Sequence, residues 1–398
     1  VIAAAIPAAR YADRLARAQA LLPEHDASAL LIGWGADLLW LIGYEASASE
    51  RLTLLVLPAE GRATLVVPRL EQAAAQTSGA VSGGAVDLLS WQETEDPFAA
   101  VAGRLSAAGS RPEVQLGALG GAWGRLGSLL VSDQLYAAFL LHLQAAVPDA
   151  AFGLASSVLA DLRALKDAEE IELLRQAAHA ADRTLAAVAA GRLVGRTEVD
   201  VANEVRQRLV DEGHDSAEFA IVGSGPNSAS PHHTPTSRVI EAGEPLVLDI
   251  GGRLSGYHSD VTRTLWVSGA TDRRPTPDFV NLYDVLQRAQ AAACTAVAPG
   301  VECQQVDATA RQLIAAAGYG DQFIHRTGHG IGLETHEQPY IVAGNGRRLG
   351  VGNAFSIEPG IYVAGRFGAR IEDIVACGPT GADMLNLGPR DLLVVGGG

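Results

Sequence analysis

Cysteine is scarce in this chain. Three thiols, Cys294, Cys303 and Cys377, occur in 398 residues, and none belongs to a CxxC pair. That excludes a disulfide framework and fits a reducing cytoplasm. Methionine occurs once. Lysine also occurs once, as Lys166, so the other 29 of the 30 basic residues are arginines, a bias read as genome composition. Positive charge is short as well, 30 bases against 45 acids for a net charge of −15. A nucleic-acid partner needs a basic face and is excluded, whereas attraction of cations is favoured. No run reaches the ~18 uninterrupted apolar residues of a membrane span. The apolar start VIAAAIPAARYADR has no basic residue ahead of it, so a signal peptide is not expected. What is present is an ordinary globular composition, 48% hydrophobic and 19% charged, long enough for two domains.

Apolar spacing in the first part alternates between helix and strand. Tyr11, Leu15, Ala18 and Leu22 recur at helical intervals. SALLIG (28–33), RLTLLVLP (51–58) and RATLVVP (62–68) read as strands, the last two joined by a turn at Pro58-Ala-Glu-Gly61. This part, residues 1–158, reads as a small α/β domain without a polar constellation suited to chemistry. Near Lys166 the pattern changes. Asp167 followed by Glu170 is a capping-box signature. Behind it Ile171, Leu174, Ala178, Ala181, Leu185 and Val188 form one stripe of a long helix that opens a second domain, residues 159–398.

That second domain carries a diverged internal duplication. Residues 195–214 align without gaps to 300–319, five of 20 positions being identical. At nearly the same offset Glu218-Phe219 falls on Gln322-Phe323 and His232 on His336. Further on, Asp249 falls on Glu358 and, with three more inserted residues, Asp260 on Glu372. Two helix–strand units facing each other would bring both polar sets to one centre.

These residues suit metal chemistry. Asp249 ends the buried run PLVLDIGG, and Asp260 follows 11 residues later in HSDVTRT. Carboxylates side by side on adjacent strands repel, and need a cation or a shared proton. Glu358 lies in SIEPG and Glu372 in ARIEDIV, where a buried acid without a partner is costly. Strand parity offers Arg370 as a simple ion-pair partner for Glu372. His329 sits among Gly328, Gly330 and Gly332, which allow close backbone approach. His325 and His336 flank it, and His232-His233 lie in a proline-flanked loop. Four carboxylates and one imidazole, without a thiolate, suit a pair of ions such as Mn²⁺, Co²⁺, Zn²⁺ or Fe²⁺. Two such ions ~3.5 Å apart lower the pKa of a bridging water.

GPNSASPHH, VLDIGG, HSDVTRT, GHGIGLETHE, SIEPGIY and ARIEDI, in this order, resemble the methionine aminopeptidase/prolidase ("pita-bread") metallopeptidase family over the whole second domain. The preceding domain resembles the creatinase-type N-terminal domain of prolidases and aminopeptidase P. The resemblance implies an α+β chain: a creatinase-like α/β domain, then a pita-bread catalytic domain with a pseudo-twofold duplication. It implies two divalent ions, Mn²⁺ first among them, on Asp249, Asp260, His329, Glu358 and Glu372. It also implies His232 and His336 as catalytic, substrate-contacting histidines, and Glu358 as acid/base partner of a bridging hydroxide. Arg370 matches the arginine of the GxRxED motif, with Ala369 where valine is usual, and is the candidate reader of a substrate carboxylate. The expected activity is hydrolysis of Xaa-Pro dipeptides by a cytoplasmic homodimer. The alternatives are an aminopeptidase P acting on Xaa-Pro-Yaa, a metal-free creatinase-type hydrolase, a non-catalytic pita-bread module and a cation store. The last three conflict with five intact ligand positions or with the paired histidines. In the first domain, the segment Gly35–Arg51 is expected to reach a neighbouring subunit's site.

Overall fold

The computed structural model describes residues 6–108, 127–269 and 273–396. The chain divides into two compact units, one ending at Arg163 and the other beginning at Ala164.

In the first unit, α1 (Ala8–Leu21) buries Tyr11, Leu15 and Ala18, the stripe expected from its spacing. Six strands form one mixed sheet: β1 (Ala27–Ile32), β2 (Leu54–Pro58), β3 (Ala63–Pro68), β4 (Val86–Trp91), β5 (Ser128–Val131) and β6 (Phe152–Leu154), in the order β4-β3-β2-β1-β5-β6. The turn between β2 and β3 places Gly61 at φ 96°, in the region that favours glycine. Leu31, Leu54, Val66 and Leu129 lie in the core on one side of this sheet. In the segment Gly35–Arg51, Asp37 pairs with Arg163 at 2.7 Å, Trp40 is buried, and Arg51 pairs with Glu93.

The second unit opens with α2 (Ala168–Ala190). Its capping box is formed: the Asp167 side chain accepts from Glu170 N and the Glu170 side chain from Asp167 N. There follow α3 (Glu198–Asp211) and the strands β7 (Ser216–Ser224), β8 (Glu244–Leu254), β9 (Tyr257–His258) and β10 (Val261–Val267). Then come α4 (Pro277–Thr295), α5 (Cys303–Ala316), β11 (Gly328–Gly330), β12 (Glu337–Ile341), β13 (Ala354–Ile357), β14 (Gly360–Val363), β15 (Phe367–Arg370), β16 (Asp373–Cys377), β17 (Ala382–Met384) and β18 (Leu393–Val395).

The duplication is physical. Helices α3 and α5 are both 14 residues long, and their starts and ends are each 105 positions apart. Both begin in capping boxes, Thr197 with Asp200 and Glu302 with Gln305. Both N-caps form an isolated β-bridge to a residue outside the strands, Thr197 to Val239 and Glu302 to Arg348. Each helix pair backs its own sheet, β18-β10-β8-β7 in one half and β12-β11-β13-β16-β17 in the other. Each half also has its own apolar core. Among the described residues no helix is long and apolar enough to cross a membrane.

Candidate active site

Strand pairing delivers the polar residues. Asp249 stands on β8 opposite Thr262 of β10, and Asp260 immediately precedes β10. His329 is the middle residue of β11, which pairs with β12 on one side and β13 on the other. The flanking glycines make that squeeze possible. A Cβ on Gly328 would lie 1.8 Å from the Ser356 carbonyl oxygen, and one on Gly330 would lie 2.3 Å from that of Gln338. Glu358 follows β13, and Glu372 sits between β15 and β16.

The resulting centre is buried and short of counter-charge. Ligand-type atoms of Asp260, His329 and Glu372 all lie within 4.8 Å of one another. His329 Nε2 is 3.6 Å from Asp260 Oδ2 and 3.2 Å from Glu358 Oε1. Its Nδ1 faces the Gly330 carbonyl oxygen at 3.1 Å and so carries the ring proton, leaving the Nε2 lone pair toward the acids. Burial and the neighbouring His336 push the His329 pKa down to about 3, so the ring is neutral. Burial and the surrounding carboxylates push Asp260 and Glu372 well above the usual carboxylate range, and burial takes Glu358 up to about 7. Two buried oxygens, Asp249 Oδ1 and Glu372 Oε1, accept no hydrogen bond among the described residues. Crowded acids, orphaned oxygens and an imidazole lone pair aimed at carboxylates fit a site for divalent cations.

The five expected ligands are not equally close. Asp260, His329 and Glu372 form the tight group, and Glu358 joins through His329. Asp249 Oδ2 is instead ion-paired with Arg370. Parity along the strand suggested Glu372 as the partner of Arg370, but the guanidinium reaches from β15 to the facing strand β8. Glu372 Oε2 accepts from Thr262 Oγ1 at 2.7 Å. Arg370 also donates to Thr262 Oγ1, the Tyr362 hydroxyl and the Pro231 carbonyl oxygen. Tyr362 in turn contacts His325 Nε2 at 2.9 Å. The His325 Nδ1–H faces the Arg326 carbonyl, so Nε2 accepts from the phenol.

His232 and His336 are exposed, and the His336 ring packs edge-on to His329 with centroids 4.1 Å apart. The loop carrying His232 is held on both sides, by Arg370 at Pro231 and by Glu198 at His233. Glu198 is fully buried at the first position of α3. It accepts hydrogen bonds from His233 Nε2, Ser224 N and Oγ, Asn227 Nδ2, and Thr236 N and Oγ1. Burial alone would raise its pKa, but these donors outweigh it and hold the carboxyl at about 2. Sequence reading passed over Glu198, Thr262 and Tyr362; no spacing signal marks them.

The sequence model of "Metallopeptidase family M24" matches residues 172–379, and that of the "Creatinase/Prolidase N-terminal domain" matches residues 14–165. The chain belongs to metallopeptidase family M24. This M24 peptidase is 46% identical over 386 residues to the "Probable dipeptidase PepE" of Mycobacterium tuberculosis, covering 97% of this chain and 96% of the relative. The crystal structure of dipeptidase PepE from Mycobacterium ulcerans superposes with a TM-score of 0.88 at 45% identity, covering 99% of this chain and 100% of that one. The prolidase from Thermococcus sibiricus gives 0.86 at 33% identity, covering 97% and 99%. The α+β architecture, with a creatinase-type domain ahead of the catalytic one, is that of these proteins.

Proposed function

We propose that this M24 metallopeptidase hydrolyses Xaa-Pro dipeptides with two divalent ions held by Asp249, Asp260, His329, Glu358 and Glu372. The observation that carries it is the buried cluster of Asp260, His329 and Glu372, with its unsatisfied oxygens and neutral imidazole. The dipeptidase and prolidase names of the similar proteins support the substrate half of the reading. Mn²⁺ is the proposed metal, with Co²⁺, Zn²⁺ and Fe²⁺ also compatible with an O/N donor set. When bound, the ions supply Lewis acidity and a water of low pKa.

The chain's own residues then divide the work. Water adds to the scissile carbonyl carbon, and its proton moves to a Glu358 carboxylate oxygen. The C–N bond to proline breaks as that proton passes to the proline nitrogen. His232 and His336, exposed at the rim, donate hydrogen bonds to the carbonyl oxygen or the bound peptide. Arg370 acts as a positioning residue, because four of its five N–H donors are engaged by Asp249, Thr262, Tyr362 and Pro231. A cytoplasmic homodimer belongs to the same proposal; three free, buried thiols suit a reducing compartment.

The test compares Xaa-Pro, Xaa-Pro-Yaa and Xaa-Ala on Mn²⁺-reconstituted enzyme. Xaa-Pro should lead in kcat/KM by roughly tenfold or more, a difference of about 1.4 kcal/mol in transition-state binding. Equal turnover of Xaa-Pro-Yaa would replace this reading with an aminopeptidase P.

A further inference from the structure

One basic side chain escapes the arginine bias. Lys166 is the single lysine of the chain, and it is buried. Its Nζ pairs with Glu337 Oε1 at 2.5 Å, the lysine side chain being 1% exposed and the glutamate 7%. Gly332 closes the slot they share: a Cβ there would lie 3.0 Å from Lys166 Cε and 2.6 Å from Glu337 Oε1. A compact ammonium on a linear stem fits against that glycine, whereas a planar guanidinium needs more width. Lys166 is itself fixed, just ahead of the capping box of α2. Its N–H donates to the Gly352 carbonyl at 2.8 Å, Leu165 forms an isolated β-bridge to Asn353, and Asn353 Nδ2 donates to the Ala164 carbonyl at 2.8 Å. Glu337 opens β12 and pairs in register with Gly330, the residue after His329. The residue before Glu337 is His336, exposed, with its ring centroid 4.1 Å from that of His329. The stretch from Gly332 to His336 is therefore held at both ends. The Gly332 carbonyl accepts from His258 N at 2.9 Å and from His258 Nδ1 at 3.2 Å, two residues before Asp260. At the other end Glu337 is tied to Lys166. A buried ion pair adds little net stability over an apolar pair of the same shape, so what this one supplies is a fixed geometry.

We infer that Lys166 and Glu337 are positioning residues for the hydrolysis, and that their ion pair sets His336 over His329 from the buried side of the chain. The inference rests on the reading of His336 as a substrate-contacting catalytic histidine and deepens it. Successive side chains of an extended segment point to opposite sides. The Glu337 carboxylate anchors the chain inward, and the His336 imidazole is presented outward. Without the anchor the imidazole samples orientations that miss the scissile carbonyl. A misplacement of about 1 Å costs on the order of 10²-fold in rate.

The experiment uses full-length, Mn²⁺-loaded enzyme with Leu-Pro, and reads kcat, KM, metal content and Tm. The main variant combines Lys166→Met with Glu337→Met, an apolar pair of similar length that leaves no unpaired buried charge. Its Tm should stay within about 5 °C of wild type. Metal content should be unchanged, while kcat falls roughly 10–100-fold and KM stays within about threefold. Adding His336→Ala to this variant should bring turnover no lower than His336→Ala does alone, because both changes remove the same contact. Glu337→Gln keeps the shape and a hydrogen bond, and decides the matter if the double variant does not fold. Its kcat should fall roughly three- to tenfold, with the same non-additivity. Undiminished kcat in the deciding variant, a loss that multiplies with that of His336→Ala, or loss of metal would each overturn the inference. If wild type does not cleave Leu-Pro, or His336→Ala costs nothing, the functional reading falls and takes the inference with it. If His336→Ala costs its full factor and the deciding variant costs nothing, only the positioning role falls.

Discussion

Asp260 and His336 both neighbour His329 but in different physical settings. Asp260 is buried among acids, where only a cation or a proton makes its charge tolerable. His336 is exposed and packs against the His329 ring without joining the acidic cluster. The two should therefore fail differently. Asp260→Asn replaces an anionic ligand with a weaker neutral one. It should lose at least one equivalent of metal, read by elemental analysis, and turnover should fall with it. His336→Ala, and likewise His232→Ala, should keep both metals while turnover drops by roughly 10²–10⁴. Two retained metals in Asp260→Asn, or metal loss in the histidine variants, would reverse these assignments. These residues could be singled out from residue type and order. The partner of Arg370 was not, because parity along one strand says nothing of which strand lies across from it.

Among the elements, the loop between β7 and β8 depends most on a residue far away in sequence. Glu198 is reached from Ser224, Asn227, His233 and Thr236 together, and so fixes the path of the chain around His232. Its carboxyl titrates at about 2 in the folded protein, from a usual value of 4.5. A depressed acid contributes stability that is complete above the unfolded value and fades as pH falls toward 2. The shift corresponds to about 3 kcal/mol at neutral pH. Glu198→Gln keeps the shape but gives up the charge-assisted bonds. The variant should lose about 2–4 kcal/mol at pH 7 in denaturant unfolding. The gap to wild type should narrow below about pH 4 and nearly close near pH 2. A gap that stays constant with pH would show that the carboxylate's ionisation is not what matters. The alignment of residues 195–214 with 300–319 marked this helix in the sequence; nothing there showed that Glu198 is a hub.

At the scale of the molecule, four carboxylates from two repeated halves are held in one place against their mutual repulsion. Cations that bind only the folded arrangement must then stabilise it by linkage. With free Mn²⁺ at 100 times its Kd the gain is about 2.7 kcal/mol. Scanning calorimetry should show Tm rising by roughly 5–10 °C over chelated protein. A Tm indifferent to Mn²⁺ would contradict a high-affinity centre.

The amino-acid order alone indicated the two-part organisation, the duplication that contains α3 and α5, and the candidate ligands. These depend on local spacing, turn chemistry and residue type, which act over a few positions and survive divergence. The register that sets Asp249 against Arg370, the six donors on Glu198 and the stacking of Arg326 on Tyr340 came from packing. Each joins residues on different elements, and the contact exists only because sheets and helices bury their apolar faces in one particular arrangement. A guanidinium has the same chemistry at positions 326 and 370. Burial against Asp249 ties the Arg370 guanidinium to a facing strand, whereas the Arg326 guanidinium rests on the Tyr340 ring.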